Sequence, residues 1–447
     1  MSSGTGTFTL RKIREIPWSF DPFLLLPVAI FAVDLLSPLL IDHGWMPGAT
    51  RWLSHAGVVV AMGLAFLRMM VSNHIPGAIL PILSLSFMGV LSAALNEQNL
   101  LVTLWGWFLL FQFPMVGLFV YLQRSWISFR PGWVTIALVG LLGFELAVQA
   151  VQYLQGIAPG DQLSGTFGMF GTGKLALFIL LVTALALGRW VFTRDWKMLL
   201  FTIAIGFACS LLGETKLYLP AVLVMGGLAT LLYVRRNGGL ARTVALMGIL
   251  GGMGILFLKL YGVVIPGGYS FADMLLSPSM LNRYLNFSAS QAVNGTVVYD
   301  LGRNLWLQFA FNSISGDPAT LMFGFGLGSR SESAALGLVG QNLVNGSYGL
   351  ATGTSLVVML QEIGVVGMLV VGGFLGYAVI RLGMEIARNP ASPLNEIRYG
   401  LLIYTLMFPV WLWYNTAWIL RAAMVLYWAL LGWVLNPAAK KEFDHGG

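Results

Sequence analysis

Charged residues that could do chemistry are concentrated in one long segment of a chain that is otherwise mostly apolar. Roughly 90 residues of mixed polarity separate Tyr261 from Gly353, and a connection of that length is uncommon unless it is functional. The segment holds Arg283, Asp300, Arg303, Arg330 and Glu332. Guanidinium groups bind phosphate through paired hydrogen bonds, and a carboxylate can accept the proton of a reacting hydroxyl. The segment is therefore expected to bind an anion and to move a proton.

The composition excludes an ordinary soluble domain. Hydrophobic residues make up 57% of the 447 residues, charged residues make up 10%, and the mean hydropathy is +0.80. The net charge of +7 comes from Lys and Arg residues between apolar stretches, where such residues set membrane topology and do not indicate nucleic-acid binding. The single cysteine, Cys209, cannot form an intrachain disulfide. The chain is therefore predicted to be an integral membrane protein that binds no nucleic acid.

Apolar windows of about 20 residues, the length of a membrane-spanning helix, occur about twelve times. They cover residues 22–41, 53–72, 75–95, 100–122, 133–155, 174–193, 198–213, 217–234, 242–262, 354–380, 398–416 and 419–436. We predict an all-α integral membrane protein with three parts. Residues 1–262 form helices one to nine, residues 263–353 form one large loop with amphipathic helices, and residues 354–447 form helices ten to twelve and a cytoplasmic tail. The first span lacks a small-residue cleavage signal, which indicates a retained signal anchor.

The distribution of basic residues predicts the orientation. With the N-terminus inside, most Lys and Arg residues fall in cytoplasmic connections, as the positive-inside rule requires. The short connections on the other side then hold only Arg51, Lys174, Lys216 and Arg421. Both termini are therefore expected in the cytoplasm, and the long loop is expected on the extracytoplasmic side.

The glycine-rich stretch Gly165–Lys174 partly matches a nucleotide-binding loop. Gly168 to Lys174 fits the spacing, but Leu175 stands where a Ser or Thr must hold magnesium, and no strand precedes the stretch. Two interpretations remain. Either a partly re-entrant loop presents backbone N–H groups and Lys174 to an anion, or the stretch is a flexible connection between helices.

Residues Tyr299–Phe311 of the long segment have the spacing of an amphipathic helix. Asp300 and Arg303 fall on its polar face and Trp306 on its apolar face, as in a helix at the membrane surface. Arg303 could serve an anion site or simply extend to lipid headgroups. The later cluster Gly324–Ser329 fails the dinucleotide-binding pattern and predicts only a tight turn.

Polar residues also lie within or at the edges of the predicted spans, where an ionisable group is costly and often functional. They are Asp34 in the first span, Glu145, Gln149 and Gln152 in the fifth, Glu214 and Lys216 at the turn after the seventh, and Gln361 and Glu362 in the tenth. The alternative role for each is a hydrogen bond that packs helices together.

The order of these pieces resembles the superfamily of polysaccharide polymerases and O-antigen ligases, which are membrane glycosyltransferases. The shared features are many spans, a large outer loop late in the chain, and short motifs. The motifs are Gly165-Thr-Phe-Gly168, Lys216 after the seventh span, Gly302-Arg-Asn-Leu-Trp306, Phe323-Gly-Phe-Gly-Leu-Gly328, and Leu360-Gln-Glu-Ile-Gly364 within the tenth span. The resemblance implies a GT-C-like helical fold.

Two departures distinguish the chain from the ligases of this superfamily. Ligases carry a His just before the tenth span, where this chain reads Gly349-Leu-Ala-Thr-Gly-Thr354. Lys216 stands where ligases have an Arg. These departures favour the polymerase branch, which joins repeat units carried on polyprenyl diphosphate. The resemblance further implies the bacterial inner membrane, a periplasmic active face and a chain-length regulator protein as a candidate partner.

The implied reaction assigns roles to the charged residues. An extracytoplasmic donor must carry its own leaving group, and a departing diphosphate builds negative charge that Arg and Lys can stabilise. The expected diphosphate-binding residues are Arg303, Lys216, Arg330 and Arg283. The candidate general bases are Glu214, Glu332, Asp300 and Glu362. Further substrate contacts are expected from Glu145, Gln149, Lys174 and Trp306.

We expect inverting transfer in one displacement, with no metal because no His, Cys or Asp cluster has ligand spacing, and with no cofactor. Two other functions stay open. An O-antigen ligase would transfer the glycan to an acceptor lipid. A transporter or flippase of an anionic lipid-linked substrate would also have many spans and buried charges, but transporters usually contain internal repeats and midplane charges, which are not evident here. Cell-wall polymerases of the shape-and-division type match less well in span count and loop position.

Overall fold

The computed structural model describes residues 25–71, 77, 79–123, 130–169, 171–238, 240–264, 277–293, 296–333, 336–344, 353–437 and 439–440. These residues are mostly helical. Eight of the described helices are long and apolar enough to cross a membrane, and three shorter apolar helices accompany them. The chain is therefore a helical membrane protein, as its composition predicts.

The helices before the long segment have the following bounds. They are α1 (Leu25–Asp42), α2 (Arg51–Val71), α3 (Ile79–Leu95), α4 (Leu100–Tyr121), α5 (Pro131–Leu154), α6 (Thr172–Thr193), α7 (Trp196–Leu212), α8 (Tyr218–Asn237) and α9 (Leu240–Val264). Single 3-10 turns occur at Gly48–Thr50, Gly165–Phe167 and Ala417–Ile419.

The long segment contains short helices and strands. They are α10 (Pro278–Leu285), β1 (Ser288–Val293), β2 (Thr296–Leu301), α11 (Arg303–Ile314), α12 (Pro318–Phe323), β3 (Glu332–Ser333), β4 (Leu338–Val339) and α13 (Gln341–Val344). The chain ends with α14 (Ser355–Arg388), α15 (Asn395–Leu406), α16 (Phe408–Tyr414) and α17 (Arg421–Leu435).

Each predicted span overlaps a helix, but not every helix has membrane length. The helices α3, α7 and α17 are shorter than 18 residues. The predicted eleventh span is divided at Met407, because Pro409 in the first turn of α16 has no N–H and cannot continue the hydrogen bonds of α15. The basic residues before the first span lie outside the described residues. The twelve-span arrangement and its orientation thus stay predictions.

The prediction of one amphipathic helix from Tyr299 is wrong at its start. Strand β2 runs to Leu301 and pairs antiparallel with β1, with Asp300 opposite Ala289, and α11 begins only at Arg303. The β-branched and aromatic residues of Thr296–Tyr299 favour a strand once β1 supplies hydrogen bonds. The extended backbone of Gly302 then separates strand from helix. A second, shorter antiparallel pair joins β3 and β4, and the sequence pattern predicted neither pair.

A break in α14 fastens the long segment to the helical bundle. Gly364 has φ +63° and ψ −170° inside α14, so the carbonyls of the preceding turn lose their helical partners. The N–H of Phe325 donates to the Gln361 carbonyl at 2.7 Å, and the N–H of Gly326 donates to the Glu362 carbonyl at 3.0 Å. The predicted tight turn Gly324–Ser329 is therefore the anchor of the long segment on α14.

That turn also fits closely against α3 and α4. Gly326 and Gly328 have φ values of +96° and +88°, which disfavour residues with a side chain. A Cβ at Gly326 would lie 2.3 Å from the Ala93 Cα, and one at Gly328 would lie 2.1 Å from the Val102 carbonyl oxygen. Glycine is required at both positions for conformational and steric reasons.

A proline inside α4 creates a specific hydrogen bond to the 3-10 turn before α17. Pro114 has no N–H, so the carbonyl of Leu110 lacks its usual helical donor. The indole N–H of Trp418 donates to that carbonyl at 2.7 Å.

Replacing Trp418 by Phe should therefore lower the free energy of unfolding by about 1–3 kcal/mol more than replacing Trp411 by Phe. Trp411 is a matched control, because it is also fully buried but its indole N–H has no hydrogen-bond partner among the described residues. Thermal unfolding of both variants in one detergent measures the difference. Equal destabilisation would mean that the Leu110 carbonyl does not need the indole donor.

Candidate functional site

Two of the predicted cations meet around one tyrosine, and we call Lys216, Tyr284, Arg303 and Tyr414 the cationic cluster. The Arg303 guanidinium carbon lies 5.8 Å from the centre of the Tyr284 ring and 5.2 Å from that of Tyr414. The Lys216 ammonium lies 5.8 Å from the same Tyr284 ring. The Tyr284 and Tyr414 hydroxyls are 3.1 Å apart. Residues from four separate parts of the chain thus form one cationic surface.

Arg303 is held in this cluster without a carboxylate. Its Nε donates to the Tyr414 carbonyl at 3.4 Å, and the two tyrosine rings support the guanidinium through cation–π contacts. Among the described residues, no Asp or Glu forms an ion pair with Arg303. Because the side chain is only half-buried, its terminal N–H groups remain available for an anion.

Glu214 supplies a carboxylate beside the second cation. Its Oε1 lies 2.9 Å from the Lys216 ammonium and also accepts a 2.9 Å hydrogen bond from the Tyr261 hydroxyl. Glu214 has φ +52°, an unusual backbone conformation for a residue with a side chain. Such strain is more common at functional sites than elsewhere.

The predicted residues Arg330 and Glu362 form a second group, at a pocket of about 90 Å³. Glu362 Oε1 accepts hydrogen bonds from the Arg330 N–H at 3.0 Å and the Ser331 hydroxyl at 2.9 Å. Arg330 is only 3% exposed, yet its Nε and Nη2 have no hydrogen-bond partner within the part of the chain that the structure describes. Burial lowers the pKa of the Arg330 guanidinium, and the nearby Glu362 carboxylate opposes that shift.

Two short pieces of chain connect the pocket to the cationic cluster. Trp306, one helical turn after Arg303 in α11, has its ring centre 5.9 Å from the Arg330 guanidinium carbon. The carbonyl of Asn415, next to Tyr414, accepts a hydrogen bond from the Ser355 N–H at 3.0 Å, and Ser355 lines the pocket. The predicted contact residue Trp306 is thus buried between the two groups of cations.

Three of the residues predicted for the site have few or no described contacts with the cationic cluster or the pocket. Arg283 is exposed on α10, and among the described residues no hydrogen bond, ion pair or cation–π contact joins its side chain to the cationic cluster. Glu332 is exposed at the pocket, where its carbonyl accepts from the Trp105 indole at 2.9 Å. Asp300 lies in β2, and its side chain is outside the described residues.

Glu145 and Gln149 hold the glycine-rich stretch in place. Both are fully buried, and Glu145 accepts hydrogen bonds from the N–H of Thr166, at 2.9 Å, and from its hydroxyl. The Gln149 amide donates to the Leu163 carbonyl at 2.8 Å. Gly165–Phe167 form one turn of 3-10 helix, and the two interpretations of the stretch, an anion-binding loop and a flexible connection, stay predictions. A substrate role for these two side chains stays a prediction.

Lys174 lies near charged residues that are not part of the cationic cluster. It is near Asp34 and Asp42, and no contact joins it to the cationic cluster among the described residues. Asp34 of α1 forms a 3.6 Å ion pair with Arg421. Arg421 also donates to the Ser54 hydroxyl at 2.5 Å. This arrangement fits helix packing between α1, α2 and α17.

Sequence reasoning missed the tyrosines that build the site. Tyr261, Tyr284 and Tyr414 lie in stretches rich in aromatic and apolar residues, where a tyrosine gives no local signal of function. Their hydroxyls and rings acquire a role only through long-range contacts: the Tyr284 and Tyr414 hydroxyls meet across 130 residues of sequence.

The fold and the site together define a helical membrane protein with a cationic, tyrosine-supported site at one end of its bundle. No known protein family and no curated protein matches the chain. Within the described residues, no three His, Cys, Asp or Glu side chains lie close enough to share a metal ion.

Proposed function

We propose that this chain is a membrane glycosyltransferase that polymerises oligosaccharide repeat units carried on polyprenyl diphosphate. The proposal rests on one observation above all: Arg303, free of any described carboxylate, and Lys216 share one tyrosine ring. Two cations on a partly exposed surface suit a diphosphate, whose charge grows as it leaves the sugar.

In the proposed reaction, an acceptor hydroxyl oxygen attacks the anomeric carbon of the donor sugar. The bond between that carbon and the phosphate oxygen breaks, and the electron pair leaves with the diphosphate. Arg303 and Lys216 stabilise the developing charge by charge-assisted hydrogen bonds. One displacement inverts the anomeric centre.

Glu214 is the proposed general base for the acceptor proton. Its carboxylate is about one-quarter exposed and lies beside Lys216, which would bring the base next to the leaving group. Glu362 is instead buried, and its carboxylate already accepts hydrogen bonds from the Arg330 N–H and the Ser331 hydroxyl. We therefore assign Glu362 to positioning of the pocket, and Glu332, at the pocket edge, to contact with the glycan.

The proposed location is the bacterial inner membrane, with the cationic cluster on the periplasmic side and both termini in the cytoplasm. The asymmetric distribution of basic residues supports this orientation. A chain-length regulator is a proposed partner.

An assay in sealed membrane vesicles of known orientation tests both the reaction and the side. Supplied with a short-chain, water-soluble donor carrying a diphosphate-linked repeat unit, right-side-out vesicles should form a ladder of glycan lengths, and sealed inside-out vesicles should not. A single transfer to a lipid acceptor would indicate a ligase. A ladder from inside-out vesicles alone would overturn the orientation but retain the reaction, and uptake of intact donor without transfer would indicate a transporter.

A further inference from the structure

A groove lies between α3, α4, α14 and α17, at the end of the bundle opposite the cationic cluster. Its volume is about 80 Å³. Most of its lining is apolar and includes Ile82, Pro114, Leu118, Phe374, Trp428 and Leu431. The groove belongs to no part of the site described above.

The groove is shaped by backbone contacts and stacked rings. At Gly432 of α17, an added Cβ would lie 2.1 Å from the Gly117 carbonyl oxygen of α4, so these helices touch through glycine. Gly117 and Gly432 both line the groove and leave it open beside that contact. Phe374 and Trp428 stack at 5.5 Å with an interplanar angle of 12° and form one wall. The groove is therefore formed before any ligand enters.

One end of the groove is polar and cationic. Tyr121, Tyr377 and Arg381 line it there, and Tyr121 lies near both of the others. Among the described residues, the carboxylate paired with Arg381 is that of Glu385, at 3.8 Å, which is too far for a hydrogen bond. Glu385 lies closer to Lys440, at 2.8 Å. The Arg381 side chain is 30% exposed, so its guanidinium can bind another anion.

We propose that this groove binds one anionic phospholipid from the leaflet opposite the cationic cluster. The part of an acyl chain next to the headgroup would occupy the apolar groove, with the rest in the bilayer, and the headgroup phosphate would bind Arg381 and the hydroxyls of Tyr121 and Tyr377. The charges at the polar end favour an anionic over a zwitterionic headgroup, since among the described residues Arg381 and Lys440 both face the carboxylate of Glu385. The inference does not depend on the proposed function.

The test measures lipid retention by the purified full-length chain. After delipidation, the protein is mixed with phosphatidylglycerol or phosphatidylcholine of matched acyl chains, and bound lipid is counted by intact-protein mass spectrometry. We expect one phosphatidylglycerol per chain to persist where phosphatidylcholine is lost. Arg381→Gln should weaken phosphatidylglycerol binding about tenfold or more, as loss of a charged hydrogen bond implies.

Two further variants separate a specific site from general lipid contact. Ala378 lines the groove, so Ala378→Phe should fill it and reduce binding of both lipids. Arg388→Gln removes an exposed arginine of the same helix that does not line the groove, and binding should be unchanged. If Ala378→Phe does not fold, Arg381→Gln at its partly exposed position still decides the question. Equal phosphatidylglycerol binding by the wild type, Arg381→Gln and Arg388→Gln would overturn the proposal.

Discussion

Replacing Arg303 by alanine should reduce glycan transfer about 100- to 1,000-fold, the usual effect of removing one donor that stabilises transition-state charge. Lys216 is paired with Glu214, whereas Arg303 has no carboxylate partner among the described residues. Removing Arg303 therefore removes the positive charge that is available to bind the leaving diphosphate. Folding should be little affected, because Arg303 is half-buried and contributes one long hydrogen bond of 3.4 Å. The measurement is the initial rate of ladder formation at saturating donor.

Two companion variants define the origin of that loss. Arg303→Lys should recover only part of the rate, because an ammonium cannot form the planar two-pronged contact of a guanidinium. Gln308→Ala is the matched control, since Gln308 is an exposed polar residue of the same helix, α11. Near-wild-type transfer by Arg303→Ala would show that Arg303 does not stabilise the leaving group, and would favour the alternative that it contacts lipid headgroups.

Replacing Glu362 by alanine should lower the free energy of unfolding by about 2–5 kcal/mol, because two buried donors lose their acceptor at a cost of about 1–3 kcal/mol each. These donors are the Arg330 N–H and the Ser331 hydroxyl. The substitution would also remove the carboxylate that, among the described residues, acts electrostatically on the 3%-exposed guanidinium of Arg330. Chemical or thermal unfolding in detergent measures the change, and Glu332→Ala, an exposed carboxylate at the same pocket, should have little effect.

A double substitution tests whether the buried charge is the cause. Arg330→Met in the Glu362→Ala background removes the uncompensated cation and should restore part of the lost stability. If Arg330→Met and Glu362→Ala instead add independently, the cost of Glu362→Ala comes from the lost hydrogen bonds and the cavity alone.

The sequence alone was sufficient for the helical membrane class and for several members of the site. Long apolar windows became helices because, without water, a backbone must satisfy its own hydrogen bonds. Lys216 and Glu214 could be selected because charged residues at the edges of apolar spans are costly, and Arg303 because it lies in the long polar segment between spans. Local pattern was less reliable at Tyr299–Leu301, where pairing with β1 outweighed helical spacing.

Only the tertiary structure decided which of these residues act together. Arg303 reaches the Tyr414 carbonyl across 111 residues, and Tyr261 reaches Glu214 across 47. The break at Gly364 offers carbonyls to a glycine turn that lies far from it in sequence, and that contact brings Arg330 to Glu362. Sequence spacing determines which residues share a helix face, because helix geometry is local. Contacts between distant elements depend on the packing of the whole bundle, so they emerge only when the chain is folded.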